Sequence, residues 1–166
     1  MEENATITHN KSGKDHLAFL DMSDDEIHHI WETIIYPDLR EHQIIPGTMC
    51  LLTNADDGRV SIDQHKVGFG YHFAAFERYG RVELMKVPPK KDSKYALVVS
   101  HLCGNGPRCC NPEHLVIEVK EINDERVHCH FCIYKAISHK GSEGLMLFGL
   151  AGGCPHDPPC WKLGKA

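Results

Sequence analysis

The apolar positions between residues 23 and 36 repeat with helical spacing. Ile27, Ile30, Trp31, Ile34 and Ile35 fall at i, i+3, i+4, i+7 and i+8, which places one stripe on one face of a helix. Ser23 and Glu26 stand at capping-box spacing before the stripe, and Pro37 ends it. The spacing predicts a helix over 23–36 that packs against the rest of the molecule. Further on the period changes to two. Val60-Ser61-Ile62 alternates after the turn-forming run Asn54-Ala-Asp-Asp-Gly58. Gly80-Arg-Val-Glu-Leu-Met-Lys-Val87 alternates apolar and charged residues as a half-buried strand would, following a short helix over 72–79. Two apolar runs, 95–100 and 115–119, read as strands, and 121–134 is helical in character. Ser138–Gly144 reads as an exposed loop, and 145–150 as a short strand or packed turn. The order strand, loop, strand, helix across 95–134 is a ββα unit.

Most of the chemistry lies inside that unit. Cys103, Cys109 and His114 sit within one turn-rich loop punctuated by Gly104, Gly106, Pro107 and Pro112. Two thiolates and an imidazole this close are three quarters of a structural zinc site, which takes four Cys or His ligands at tetrahedral corners. Cys154, His156 and Cys160 form a second incomplete set near the end of the chain. Cys50, Cys129 and Cys132 remain to complete the two, with Cys110 beside them. Eight cysteines mixed with histidines, behind an N-terminus with neither a basic nor an apolar leader region, favour metal over disulfides. They point to a reducing intracellular compartment, nuclear or cytoplasmic. No run reaches the roughly 20 apolar residues a bilayer needs, so no membrane partner is expected.

Ser100-His101-Leu102-Cys103, Arg108-Cys109, Asn111-Pro112, His114-Leu115, then Asn123 and Cys129, and finally Gly152-Gly153-Cys154-Pro155-His156 through Cys160, resemble the His-Cys box of homing endonucleases, a family of His-Me finger nucleases. Cys50, within Gly47-Thr48-Met49-Cys50, matches the upstream ligand. The match is dense over 98–129 and 152–160, thin over 46–97 and absent from the N-terminal 20 or so residues.

The resemblance implies an α+β fold: a small zinc-stabilised mixed domain with antiparallel strands, a ββα-metal active-site unit and two structural zinc sites. The domain spans 21–166, after a flexible tail over 1–20, with an insertion at 133–151. One zinc takes Cys50, Cys103, Cys109 and His114; the other takes Cys129, Cys154, His156 and Cys160. Cys110 competes with Cys109, and Cys132 with a ligand of the second site. The activity implied is Mg²⁺-dependent hydrolysis of phosphodiester bonds in double-stranded DNA. His101 is the general base, and Asn123 the ligand of one catalytic Mg²⁺ at the leaving 3′ oxygen. A homodimer follows if the target is palindromic. The alternative is a catalytically silent, zinc-bound DNA-binding module of the same fold.

Net charge changes this picture. At -5 the chain is acidic, whereas DNA binding relies on Lys and Arg to displace counterions. Two zinc sites with three thiolates each add about -2 more by simple valence. Cations cluster at Arg78, Arg81, Lys86, Lys90, Lys91 and Lys94. Arg59, His65 and Lys66 are candidates for a phosphate contact. Ser61, Asp63 and His65, or Arg81 and Glu83, are candidates for a row facing the DNA.

Overall fold

The computed structural model describes residues 21–45, 47–63, 67–89 and 92–162. The tail expected over 1–20, and His65, Lys66, Lys90 and Lys91, lie outside them.

Helix α1 (Asp24–Ile30) begins with a complete capping box: the Ser23 hydroxyl accepts from the Glu26 N–H, and the Glu26 carboxylate accepts from the Ser23 N–H. It runs on through a π-turn, Trp31–Ile35, and a 3-10 turn, Tyr36–Asp38, whose Pro37 cannot continue the ladder. The wider π-turn shifts the phase of the stripe. Ile27, Trp31 and Ile35 are buried, while Ile34 is left 38% exposed.

Three antiparallel strand pairs follow. β1 (Arg40–His42) pairs with β2 (Cys50–Leu52), β3 (Arg59–Ser61) with β4 (Val67–Phe69), and β5 (Leu97–His101) with β6 (Leu115–Val119). Helix α2 (Gly70–Leu84) starts directly after β4, and α3 (Lys120–Leu150) directly after β6. The pair β5–β6 with α3 is the expected ββα unit, in the register His101 opposite Leu115.

Two expectations are corrected. Residues 80–84 are not a strand; they are the last turn of α2, which kinks at Gly80, where φ is +73°. The alternation there arises because Arg81 turns back to Asp24 and Met22 of the α1 region while Leu84 enters the core. Residues 138–150 are not a loop and strand. They continue α3, which breaks at Gly141 (φ +53°). Gly144 sits where a Cβ would lie 2.0 Å from the Ala136 carbonyl oxygen, so the two arms can approach this closely only with glycine there.

The core has two parts. One gathers α1, the π-turn, α2 and the inner face of β5–β6 around Ile27, Phe73, Leu84 and Leu115. The other gathers Cys50, Cys103, Cys109, Cys129, Cys154 and Cys160 around Ile133 and Trp161. No helix among the described residues is long and apolar enough to cross a membrane.

Candidate metal centres and active-site cleft

Strand β2 delivers Cys50, the loop after β5 delivers Cys103 and Cys109, and the short 3-10 turn Pro112–His114 delivers His114. The Leu52–Cys109 bridge and the bond from the Cys110 N–H to the Leu51 carbonyl stitch loop to strand. The four ligand atoms lie within 4.8 Å of one another, and all four residues are buried. His114 Nδ1 is 3.5 Å from Cys50 Sγ and 3.6 Å from Cys109 Sγ. A tetrahedral zinc with ordinary Zn–S and Zn–N bonds has S···N edges of about 3.5 Å. The second tetrad, Cys129 from α3 with Cys154, His156 and Cys160, meets the same limit. There His156 Nδ1 is 3.3 Å from Cys154 Sγ and 3.6 Å from Cys160 Sγ.

The electrostatics agree with a cation at each centre. Bonds from Cys103 and Cys109 hold the Cys50 thiol well below its usual range, while Cys109, Cys50 and burial push Cys103 far up. A buried cluster of this kind tolerates one negative sulfur; three need a compensating ion. Burial likewise pushes Cys160 up to about 11. Side chains beyond the ligands support the sulfurs: Asn105 Nδ2 donates to Cys50 Sγ at 3.2 Å, and Tyr134 donates to Asn105 Oδ1 at 3.0 Å. At the second centre the Cys160 N–H donates to Cys154 Sγ at 3.1 Å. Arg126, 1% exposed, reaches Cys160 Sγ at 3.6 Å while paired with Glu118.

The spare cysteines separate cleanly. Cys110 follows Cys109 but points the other way, into the apolar core beneath Gly70. Cys132 is half-buried on the flank of α3, 3.8 Å from His128 Nε2. Neither joins a tetrad.

His101 ends β5 on the wall of a cleft of about 370 Å³ that Asn123, Gly106, His130 and Tyr134 also line. Its Nε2 lies 3.0 Å from the Cys109 carbonyl. A carbonyl can only accept, so Nε2 carries the proton and Nδ1 keeps its lone pair. Nδ1 lies beside Gly106; a Cβ on Gly106 would sit 2.7 Å from it. Tyr71 meets the ring edge-on at 4.7 Å between centroids. Burial pulls the imidazole down to about 4, so it is neutral at physiological pH. Asn123 stands in the first turn of α3, its amide nitrogen 3.4 Å from Asp124 Oδ1. The structure thus brings His101 and Asn123 to one cleft, 22 residues apart in the chain.

Residues 48–165 match the family described as the zinc-binding loop region of homing endonuclease. The chain belongs to this family. No curated protein and no solved structure matches it. The homing endonuclease family suggests a DNA endonuclease, and the two Cys₃His tetrads fit the zinc-binding feature its description names.

Other candidates fare differently. Arg59 is exposed, faces Asp57 and lies over the Phe69 ring at 5.3 Å; that ring touches Tyr71, which touches His101. Ser61 and Asp63 are exposed. The basic stretch is largely occupied within the fold: Arg78 donates to the Pro112 carbonyl, Arg81 pairs with Asp24, Lys86 with Glu83 and Lys94 with Glu121. Sequence reasoning missed Asn105, Arg126, His130 and Tyr134. His130 and Tyr134 fall seven and eleven residues after Asn123, at helical spacing on its face, which was the signal available for them.

Proposed function

We propose that this chain is a zinc-stabilised endonuclease that hydrolyses phosphodiester bonds of double-stranded DNA, with His101 as general base and Asn123 as the protein ligand of one Mg²⁺. The observation that carries the reading is that a neutral, tautomer-locked His101 and Asn123 line one cleft.

The zinc centres serve rigidity. Cys103 and Cys109 anchor the loop whose Cys109 carbonyl fixes the His101 ring, and a base held this way needs no reorganisation when water arrives. His101 Nδ1 takes the proton of that water at the cleft floor by Gly106. The Asn123 amide oxygen is a hard, neutral donor suited to Mg²⁺, which keeps most of its waters and takes few protein ligands. Bound there, Mg²⁺ would supply positive charge to the phosphate and to the departing 3′ oxygen. A homodimer belongs to the same reading, because two-fold targets call for two-fold enzymes.

The test is cleavage of a supercoiled plasmid pool with random inserts by the zinc-loaded protein, with Mg²⁺ and with EDTA, beside Asn123→Ala. Nicking or cutting that needs Mg²⁺ and falls in the variant is the expected result. DNA binding without cutting under any divalent cation would instead favour the catalytically silent module.

A further inference from the structure

The wall of the cleft supplied by α3 repeats at helical spacing through Asn123, Val127, His130 and Tyr134. Seven residues is close to two turns, so His130 shares the face of Asn123 about 10 Å further along the helix. His130 is 9% exposed, and its ring meets Trp161 edge-on at 5.2 Å. Its Nε2 lies 3.0 Å from the Leu102 carbonyl, so Nε2 bears the proton and Nδ1 the lone pair. Among the described residues Nδ1 has no protein partner. It is also not sealed away as His72 Nδ1 and His156 Nε2 are, so the accessible edge of the ring opens on the cleft.

His101 repeats this arrangement. Its Nε2–H is held by the Cys109 carbonyl, and its Nδ1 lies by Gly106 on the same cleft. Carbonyls from the same metal loop lock two imidazoles in one tautomer, and both residues line one cleft. Water, with two O–H donors, is the reactant that uses two such acceptors.

We propose that His130 is a second catalytic residue, whose Nδ1 accepts one O–H of the attacking water while His101 Nδ1 removes the proton from the other. This deepens the nuclease reading and rests on it. The O–H bond directed at His101 breaks and its proton passes to Nδ1. The released electron pair forms the bond to phosphorus, and the 3′ oxygen leaves with its bonding pair and takes a proton from solvent. His130 neither gains nor loses a proton; it aligns the nucleophile.

Two substitutions separate this role from that of a strut under Leu102. His130→Gln can place an amide N–H where Nε2 was, keeping the bond to the Leu102 carbonyl, but has nothing at Nδ1. His130→Asn can place its oxygen where Nδ1 was but loses the strut. Single-turnover cleavage of the plasmid pool with Mg²⁺ compares both with wild type and with His101→Ala, while zinc content and DNA affinity are measured alongside. His130→Gln is expected to cut about 10- to 100-fold more slowly with zinc and DNA affinity unchanged, and His130→Asn to keep the higher rate of the two. A wild-type rate in His130→Gln, or a lower rate in His130→Asn than in His130→Gln, overturns the proposal. Where His130→Gln loses zinc, the order of the two variants still decides. Full activity in His101→Ala would instead overturn His101 as the base on which this proposal rests, and absence of Mg²⁺-dependent cutting by wild type would overturn the nuclease reading itself.

Discussion

Replacing Arg126 with methionine tests how the second metal centre is tied to the active-site unit. Arg126 spans three parts of the fold. It grips Glu118 of β6 through two bonds of 2.7 and 2.9 Å, donates to the Pro158 carbonyl at 2.7 Å, and approaches Cys160 Sγ at 3.6 Å. Its side chain is 1% exposed and that of Glu118 is 10% exposed. Removing one partner of a buried, hydrogen-bonded ion pair costs about 3–5 kcal/mol, because the other charge is left without compensation. Arg126→Met strands both Glu118 and the Pro158 carbonyl, so its loss belongs near about 4 kcal/mol. Glu118→Gln is milder. Arg126 keeps the Pro158 carbonyl, and a zinc centre with three thiolates carries a formal charge of about -1 beside it. Its cost is therefore about 1–2 kcal/mol with zinc bound. Denaturant unfolding in zinc-buffered solution measures both, and chelator competition measures zinc. Arg126→Met is expected to weaken one zinc about 10- to 100-fold and leave the other unchanged. Equal losses from the two substitutions would refute the reasoning, since they would show that the thiolate centre does nothing for Arg126.

Three further outcomes follow from the geometry. Cys109→Ala is expected to reduce bound zinc from two per chain to one, whereas Cys110→Ala keeps both; native mass spectrometry reads the difference. Gly106→Ala puts a methyl 2.7 Å from His101 Nδ1 and is expected to cut plasmid cleavage about 100-fold with zinc content intact. The pH dependence follows from the depressed His101. Only the neutral ring can act as base, so its part in the rate rises through about pH 4 and is flat by pH 6. An ordinary imidazole would still be gaining near pH 6.5. Stability has the same sign: a folded-state value below the unfolded one means the neutral ring's contribution is whole above about 6.5 and is lost as pH falls through about 4. A rate profile breaking near 6.5 would contradict this placement of the ring.

The metal tetrads were legible because thiolates and imidazoles at loop spacing have little else to do together, and the family pattern joined Cys50 and Cys129 to sets that spacing alone left incomplete. Spacing could not choose between Cys109 and Cys110. Adjacent residues face opposite ways, and only the bridge to β2 fixes which sulfur meets His114. The capping box fixed α1, yet the π-turn that exposes Ile34 follows from packing that periodicity does not record. Residues 80–87 misled because the start of α2 is buried all round, from Gly70 to Phe76, so no helical stripe leads into the alternating charges beyond. Gly141 and Gly144 read as loop signals; one is a helix break and the other lets two helical arms touch. Arg126, fully buried, could not be found at all, since its partners lie 8, 32 and 34 residues away.

The central claim is that the zinc-braced loop holds His101 as the base of a DNA-cutting site. Its most direct test is single-turnover cleavage of the plasmid pool by wild type and His101→Ala, both carrying two zincs and both with Mg²⁺ at pH 7.5. The account predicts at least about a 100-fold loss of rate in the variant with DNA affinity retained. Equal rates in the two proteins would contradict it.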